Sequence, residues 1–209
     1  MTTRWEAEGL FVKVCGLGTP ADVEAAAEAG ADAVGFVFWE PSPRHHDLPT
    51  IRRLAEASPV TTVLVTVDLD SEDLLAAAAQ AGVDAVQPHG RHSGVAAAAA
   101  RRFGLGVICP IRAGEEPPAE APDELLLIDT PHASLPGGTG ETFDWDTIAH
   151  LERRFLLAGG LDPENVAAAV RRVRPFGVDA SSGLESSPGV KDHARIRDFV
   201  KVAKEAHRS

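Results

Sequence analysis

Short apolar runs rich in β-branched residues alternate along the chain with Ala-rich amphipathic runs. The apolar runs have the length and composition of buried strands, and the Ala-rich runs between them are typical of helices that cover a sheet. We therefore predict strands at 11–15, 33–38, 60–67, 84–88, 105–109, 125–129, 154–158 and 176–180. The predicted helices lie at about 20–29, 49–57, 71–81, 94–102, 145–151, 163–173 and 191–206.

An internal repeat indicates the size of the repeating unit. Residues 29–34 (AGADAV) and 81–86 (AGVDAV) match at an offset of 52 positions. Spread over two strand–helix units, the offset gives 26 residues per unit, so eight units would occupy 208 of the 209 residues. Alternating strands and helices form a parallel sheet, and eight compact units suit a (β/α)8 TIM barrel. We predict an α/β fold with one such domain over 1–209; the alternative, a doubly wound open sheet, usually has about five to seven strands.

Local signals predict where some of these elements begin and where the pattern is interrupted. Thr19-Pro20 and Asp162-Pro163 each place a capping side chain before a proline that suits the first position of a helix. Between the fifth and sixth strands, residues 114–124 (GEEPPAEAPDE) are rich in proline and are predicted to form a loop or a broken helix.

Charge and cysteine content narrow the class of protein. The net charge is −11 and the chain has no block of Lys and Arg, which argues against nucleic acids and anionic membranes as partners. Two cysteines, Cys15 and Cys109, cannot form a disulfide framework, so a reducing compartment is expected. The first residues lack the apolar segment of a signal peptide, and no apolar run approaches the ~18 residues of a membrane span. We expect a cytoplasmic protein.

In a (β/α)8 barrel the active site lies at the carboxyl ends of the strands. Gly159-Gly160 follows the seventh strand and Ser181-Ser182-Gly183 follows the eighth, where many barrels bind phosphate through backbone N–H groups. Gly137-Gly138-Thr139-Gly140, after the sixth strand, could add a wall or a mobile lid. Any one cluster can be only a tight turn, but three in neighbouring units favour a phosphorylated small-molecule ligand.

Cys15 ends the first strand and Asp129 ends the sixth, and these are the candidate base and acid. Lys13 lies two residues before Cys15 on the same face of the strand, where its ammonium group would favour the thiolate. Asp129 closes the apolar run LLLID, where partial desolvation would keep its carboxyl group protonated. In the alternative interpretations, Cys15 is a small buried hydrophobic side chain and Asp129 caps the next loop.

Arg44 lies in a stiff PSPR segment after the second strand, where a guanidinium group suits a carboxylate. The alternative is a solvated surface arginine. His89, near the end of the fourth strand, is by itself more typical of a hydrogen-bonded histidine than of a catalyst. His45, His46 and His92 lack the spacing of metal ligands, so we predict no metal site.

One segment matches a different kind of site. Residues 16–21 (GLGTPA) follow a strand and open a helix in the relaxed dinucleotide-binding pattern, and Glu40 lies near the expected acidic position. The match is weak alone. Because the phosphate-type clusters lie at the other end of the chain and the strand count favours a barrel, we do not expect a bound dinucleotide.

The chain resembles phosphoribosylanthranilate isomerase along nearly its whole length. The motifs that carry the resemblance are Lys13-Val14-Cys15-Gly16-Leu17, Gly35-Phe36-Val37-Phe38, Ser42-Pro43-Arg44, Val86-Gln87-Pro88-His89-Gly90, Leu127-Ile128-Asp129-Thr130, Gly137-Gly138-Thr139-Gly140, Phe143-Asp144-Trp145, Leu157-Ala158-Gly159-Gly160-Leu161, Gly177-Val178-Asp179-Ala180-Ser181-Ser182-Gly183-Leu184-Glu185 and Pro188-Gly189-Val190-Lys191-Asp192. They occur in order, and together they are far more specific than any one of them.

The resemblance implies a cofactor-free isomerase of tryptophan biosynthesis that converts N-(5-phosphoribosyl)anthranilate to 1-(2-carboxyphenylamino)-1-deoxyribulose 5-phosphate. It assigns the general acid to Asp129, the general base to Cys15 and the substrate carboxylate to Arg44. The residues that it assigns to substrate binding as a whole are Arg44, His89, Gly138, Thr139, Gly159, Gly160, Asp179, Ser181, Ser182 and Gly183. The expected partner is the phosphorylated anthranilate substrate, and either a monomer or a homodimer is compatible with the sequence.

Two other functions remain open at this point. The first is a related phosphosugar isomerase of histidine biosynthesis, against which Cys15 argues because that enzyme has Asp at this position. The second is a non-catalytic barrel that binds a phosphometabolite, against which the intact pair of Cys15 and Asp129 argues.

Overall fold

The computed structural model describes residues 5, 7–112, 125–129 and 153–208. Eight parallel strands form a closed barrel in which each strand pairs with the next and β8 pairs with β1. The strands are β1 (Phe11–Cys15), β2 (Ala33–Phe38), β3 (Thr61–Val67), β4 (Ala85–His89), β5 (Gly106–Arg112), β6 (Leu125–Asp129), β7 (Phe155–Ala158) and β8 (Gly177–Ala180). The closed barrel confirms the predicted fold class and excludes the doubly wound sheet.

Helices connect most of the described strands. They are α1 (Pro20–Glu28), α2 (Leu48–Ala57), α3 (Ser71–Ala81), α4 (Ser93–Arg102), α5 (Val166–Val173) and α6 (His193–Arg208). A short 3-10 helix, Ser182–Leu184, and a small hairpin of β9 (Glu185–Ser187) and β10 (Val190–Lys191) follow β8. The predicted helix at 145–151 and the Pro-rich interval 114–124 lie outside the described residues. No helix in the described part of the chain is both long enough and apolar enough to cross a membrane.

One of the two predicted helix starts is confirmed and the other is wrong. Thr19 caps α1: its Oγ1 accepts a hydrogen bond from the N–H of Asp22, and the Asp22 carboxylate accepts one from the N–H of Thr19. Asp162 does not cap α5, which begins at Val166. Its Oδ1 instead accepts hydrogen bonds from the N–H groups of Glu164 and Asn165, and these hold residues 162–165 in a turn before the helix.

The strands are apolar on both faces because both faces are buried. Alternate residues such as Val12 and Val14 point outward and pack against the helices, whereas Phe11 belongs to a separate cluster that fills the barrel interior. This cluster takes one or two residues from each of seven strands: Phe11, Ala33, Val63, Ala85, Ile108, Leu125, Leu127, Leu156 and Ala158. A parallel sheet covered on both sides produces such continuous apolar runs.

The repeated sequence has a structural role at each of its two copies. In each copy the aspartate lies between a helix and the next strand, and its carboxylate accepts a hydrogen bond from a backbone N–H of the preceding strand. Asp32 binds the N–H of Val12 at 2.8 Å, and Asp84 binds the N–H of Thr62 at 2.9 Å. The repeat therefore marks equivalent junctions in two places around the barrel.

Candidate active site

A cavity of about 210 Å³ opens at the carboxyl ends of β4, β6, β7 and β8. Its wall brings together seven residues that the sequence singles out, namely His89, Asp129, Gly159, Gly160, Asp179, Ser181 and Ser182. Gly138 and Thr139 lie outside the described residues. The site thus forms where a barrel places its chemistry, from residues that are up to about 90 positions apart in the sequence.

The segments after β7 and β8 meet closely along one side of the cavity. Gly159 and Gly160 have φ of +99° and +61°, a region that favours glycine and lets the chain turn sharply there. The Asn165 amide donates to the carbonyl of Gly160 at 2.9 Å. Gly183 lies so close to the Leu161 carbonyl that a Cβ atom would collide with it. These glycines therefore allow two loops to pack together at the edge where the sequence predicts a phosphate.

Lys13 and Asp179 form an ion pair inside the barrel. The Lys13 Nζ lies 2.9 Å from the Asp179 Oδ1, and neither side chain is more than 9% exposed. Their strands are neighbours, with Lys13 and Asp179 in register across the β1–β8 pair. Burial acts to lower the pKa of Lys13, but the charge of Asp179, together with the hydrogen bond to it, acts in the opposite direction, and the net shift raises the pKa above its usual value. The ammonium group is therefore charged beside Cys15.

Cys15 is buried next to this pair, with Val37 and Val65 as its apolar neighbours. The side chains of Cys15 and Lys13 both lie close to Gly35. A Cβ atom on Gly35 would stand 2.8 Å from the Cys15 Sγ and 3.3 Å from the Lys13 Nζ. Burial raises the pKa of Cys15, and Lys13, although it acts in the opposite direction, does not reverse the shift. Lys13 therefore acts on Cys15 in the direction that the sequence predicts, towards the thiolate, but desolvation is the larger effect and the net shift of the pKa is upward.

Asp129 behaves as a candidate acid should. It ends β6 in the wall of the cavity, and burial, followed by the negative charge of Asp179, raises the pKa of its carboxyl group. Both effects favour the protonated form. Cys15 lies beside the cavity, one position beyond the Val14–Ala180 pair of β1 and β8. The negative charge of Asp179 acts on both groups of the candidate acid–base pair and contributes to the rise of each pKa.

Two polar side chains of β4 complete the cavity wall. His89 is neutral at physiological pH, because burial and then the charge of Lys13 lower its pKa. The Gln87 Nε2 lies 2.8 Å from the His89 Nε2, so the amide donates to an unprotonated ring nitrogen. The Gln87 Oε1 is buried without a hydrogen-bond partner among the described residues, next to the space that a ligand would fill.

Arg44 reaches the barrel mouth from the loop after β2, and it is already paired. Its Nε and Nη2 donate to the two oxygens of Glu185, the latter at 2.7 Å. Lys191 donates to the same carboxylate at 2.9 Å. The sequence marks Glu185 and Lys191 only as members of two motifs, and the residue types give no signal that would pair Glu185 with an arginine 141 positions earlier.

A closed barrel whose titratable groups converge at the carboxyl ends of its strands defines a (β/α)8-barrel enzyme. The model of the family described as N-(5'-phosphoribosyl)anthranilate (PRA) isomerase matches residues 12–202. The chain belongs to this family, whose members interconvert an aldose and a ketose in tryptophan biosynthesis.

Individual relatives agree with this assignment. The N-(5'-phosphoribosyl)anthranilate isomerase of Cereibacter sphaeroides is 44% identical, over 94% of this chain and 99% of the relative. Among solved structures, TrpF from Jonesia denitrificans has a TM-score of 0.83 at 42% identity, covering 94% of this chain and 98% of the other. A phosphoribosyl anthranilate isomerase in complex with reduced 1-(o-carboxyphenylamino)-1-deoxyribulose 5-phosphate has a TM-score of 0.79 at 36% identity, covering 94% and 99%.

Proposed function

We propose that this chain converts N-(5'-phosphoribosyl)anthranilate to 1-(2-carboxyphenylamino)-1-deoxyribulose 5-phosphate with Asp129 as general acid and Cys15 as general base. The observation that supports these two roles is the difference in surroundings between the Asp129 carboxyl group and the Cys15 thiol. Asp129 stands in the cavity wall with a raised pKa, whereas Cys15 is buried beside a charged Lys13. The first group suits the donation of a proton, and the second gains a thiolate only next to a cation.

The reaction needs one proton donated and one removed. Asp129 protonates the ring oxygen of the ribose while the C1–O bond breaks, and the nitrogen lone pair forms an iminium group at C1. The Cys15 thiolate then takes the proton from C2, the electrons of that C–H bond form the C1–C2 double bond of an enolamine, and the π electrons of the C1–N double bond return to nitrogen as its lone pair. Tautomerisation of the enolamine gives the ketone, so that the product is an isomer of the substrate.

The remaining residues hold the substrate. Gly159, Gly160, Ser181, Ser182 and Gly183 bind the phosphate, since they form the closely packed edge of the cavity. Arg44 binds the anthranilate carboxylate.

Other assignments complete the proposal. His89 and Asp179 face the sugar from the cavity wall, and Asp179 also fixes Lys13 next to Cys15. Roles for Gly138 and Thr139, a cytoplasmic location and the choice between monomer and homodimer stay predictions from the sequence.

The fluorescence of the anthranilate group gives a direct assay for this proposal. Wild type, Cys15→Ser and Asp129→Asn are given freshly made substrate, with and without EDTA. We expect turnover by the wild type in either buffer and a loss of about 10²- to 10⁴-fold in each variant, the usual contribution of a general acid or base. Absence of turnover by folded wild-type protein would overturn the proposed reaction. Full activity of either variant would overturn its assigned role.

A further inference from the structure

Glu185 is the centre of a charged cluster, and the proposed function gives this carboxylate no role. Its carboxylate is only 5% exposed and accepts four hydrogen bonds, two from Arg44, one from Lys191 and one from the N–H of Gly189. Burial acts to raise the pKa of Glu185, but the bonds from Arg44 and Lys191 outweigh it and lower the pKa, so the group is ionised. Two cations around one carboxylate leave a net positive charge beside the barrel mouth.

The cluster joins the two ends of the proposed substrate site. On one side, the Arg44 side chain lies over β1, where a Cβ atom on Gly16 would stand 2.6 Å from its Cδ and 2.9 Å from the Ser181 Oγ. On the other side, Lys191, which is fully buried, donates to the carbonyl of Ser181 at 2.8 Å. Glu185 therefore connects the carboxylate-binding arginine to the segment that would hold the phosphate.

The contact with Glu185 fixes which edge of the Arg44 guanidinium group is used within the protein. Glu185 takes the edge formed by Nε and Nη2. The opposite edge, formed by Nη1 and the second hydrogen of Nη2, points away from Glu185 and keeps the paired donors that match a carboxylate. A long arginine side chain held in one rotamer before binding loses less conformational entropy when the ligand arrives.

We propose that Glu185 is a positioning residue that holds Arg44 so that its second edge faces the carboxylate of the substrate, with Lys191 fixing Glu185 to the phosphate-binding segment. The inference rests on the proposed function. Glu185 thus contributes to recognition of the substrate carboxylate without touching the substrate.

The test compares two ligands that differ only at the recognised group. These are reduced 1-(o-carboxyphenylamino)-1-deoxyribulose 5-phosphate and its phenylamino counterpart, which lacks the carboxyl group. We expect wild type to prefer the carboxylated ligand by about tenfold or more, which corresponds to about 1.4 kcal/mol. In Glu185→Gln this preference should fall to about threefold or less, while the affinity for the phenylamino ligand stays within about twofold of wild type. A residue that only supports the fold would weaken both ligands alike.

Further variants fix the interpretation. In an Arg44→Gln background, Glu185→Gln should leave the remaining preference unchanged, because Glu185 acts through Arg44. Glu56→Gln is the matched control, since Glu56 pairs with the Nε of Arg52 at 2.8 Å on the exposed surface of α2, and it should keep the wild-type preference. If Glu185→Gln does not fold, Glu185→Asp takes its place, because it keeps the charge but shortens the contact, and the same loss of preference is expected.

The outcomes distinguish this inference from the proposed function. Wild type that isomerises the substrate, with Glu185 variants that weaken both ligands equally or keep the full preference, would overturn the positioning role alone. Wild type that neither isomerises the substrate nor prefers the carboxylated ligand would overturn both.

Discussion

At the scale of single residues, the shifted pKa values of the acid and the base have a kinetic consequence. Burial raises the pKa of both Cys15 and Asp129, whereas the proposed mechanism needs the thiolate together with the protonated carboxyl group. On raising the pH, Asp129 loses its proton before Cys15 does. The form that the mechanism needs, with a Cys15 thiolate and a protonated Asp129, is therefore the less populated of the two forms that carry one proton. The two apparent pKa values describe Cys15 and Asp129 together and belong to neither residue alone.

The dependence of kcat/KM on pH tests this consequence. We expect a plateau across neutral pH with a decrease at each end, because the fraction in the working form is constant between the two apparent pKa values. The measurement is kcat/KM for wild type from about pH 5 to about pH 10. A rise of about tenfold per pH unit across the neutral range would show that only the thiolate is required, and would contradict the role of Asp129.

The buried ion pair of Lys13 and Asp179 is expected to make the chain sensitive to the loss of one partner. Lys13→Met leaves the Asp179 carboxylate buried without its cation, and removing one member of a buried pair costs about 3–5 kcal/mol. Denaturant unfolding measures the loss. Lys204→Met is the control, because Lys204 pairs with Asp32 at a partly exposed site, where a pair contributes about 1 kcal/mol or less. Equal losses in the two variants would contradict the importance of burial.

At the scale of elements, the loops after β7 and β8 depend on a close approach at Gly183. Gly183→Ala adds a methyl group against the Leu161 carbonyl, so the two loops must move apart. We expect KM for the substrate to rise by about tenfold with a smaller change in kcat, because the phosphate edge is displaced. Steady-state kinetics measure both constants.

A second glycine serves as the control for this prediction. Gly94 lies in α4, and a Cβ atom there would meet no atom of the described residues within 4 Å. Gly94→Ala should leave KM unchanged and stabilise the fold by about 0.5–1 kcal/mol. A Gly183→Ala variant with wild-type KM would show that the phosphate does not bind at this edge.

The elements themselves could be predicted well from the sequence, because strands and helices follow from local patterns. The bounds of β1, β2 and β6 agree with the prediction, and the strands that differ do so by three residues at most. The start of α5 was not predictable from Asp162-Pro163. The same two residues also suit a turn, and the bonds from Glu164 and Asn165 to the Asp162 carboxylate do not separate the two, because Asp70 accepts the same pair of bonds at the start of α3.

At the scale of the whole molecule, the barrel could be inferred but the contacts across it could not. The closure of the sheet follows from counting units, since eight parallel strands of this size form a barrel. Lys13 and Asp179 are 166 positions apart, and Arg44 and Glu185 are 141 apart, so no local pattern pairs them. The net pKa shift of Cys15 could not be predicted for a related reason: the effect of Lys13 follows from the sequence, whereas the extent of burial, which outweighs it, does not.

The two cysteines provide the most direct test of the account, because they have the same exposure but lie in different parts of the barrel. Each is 7% exposed, and burial raises the pKa of both. Cys15 faces the barrel interior beside Lys13, whereas Cys109 packs in the layer between the barrel and its helices.

The decisive measurement is single-turnover isomerisation of phosphoribosylanthranilate by Cys15→Ser and Cys109→Ser. The account predicts that Cys15→Ser loses at least about 10²-fold in rate, as expected for loss of a general base, while Cys109→Ser stays within about threefold of wild type. Equal rates in the two variants would contradict the assignment of Cys15 as the base.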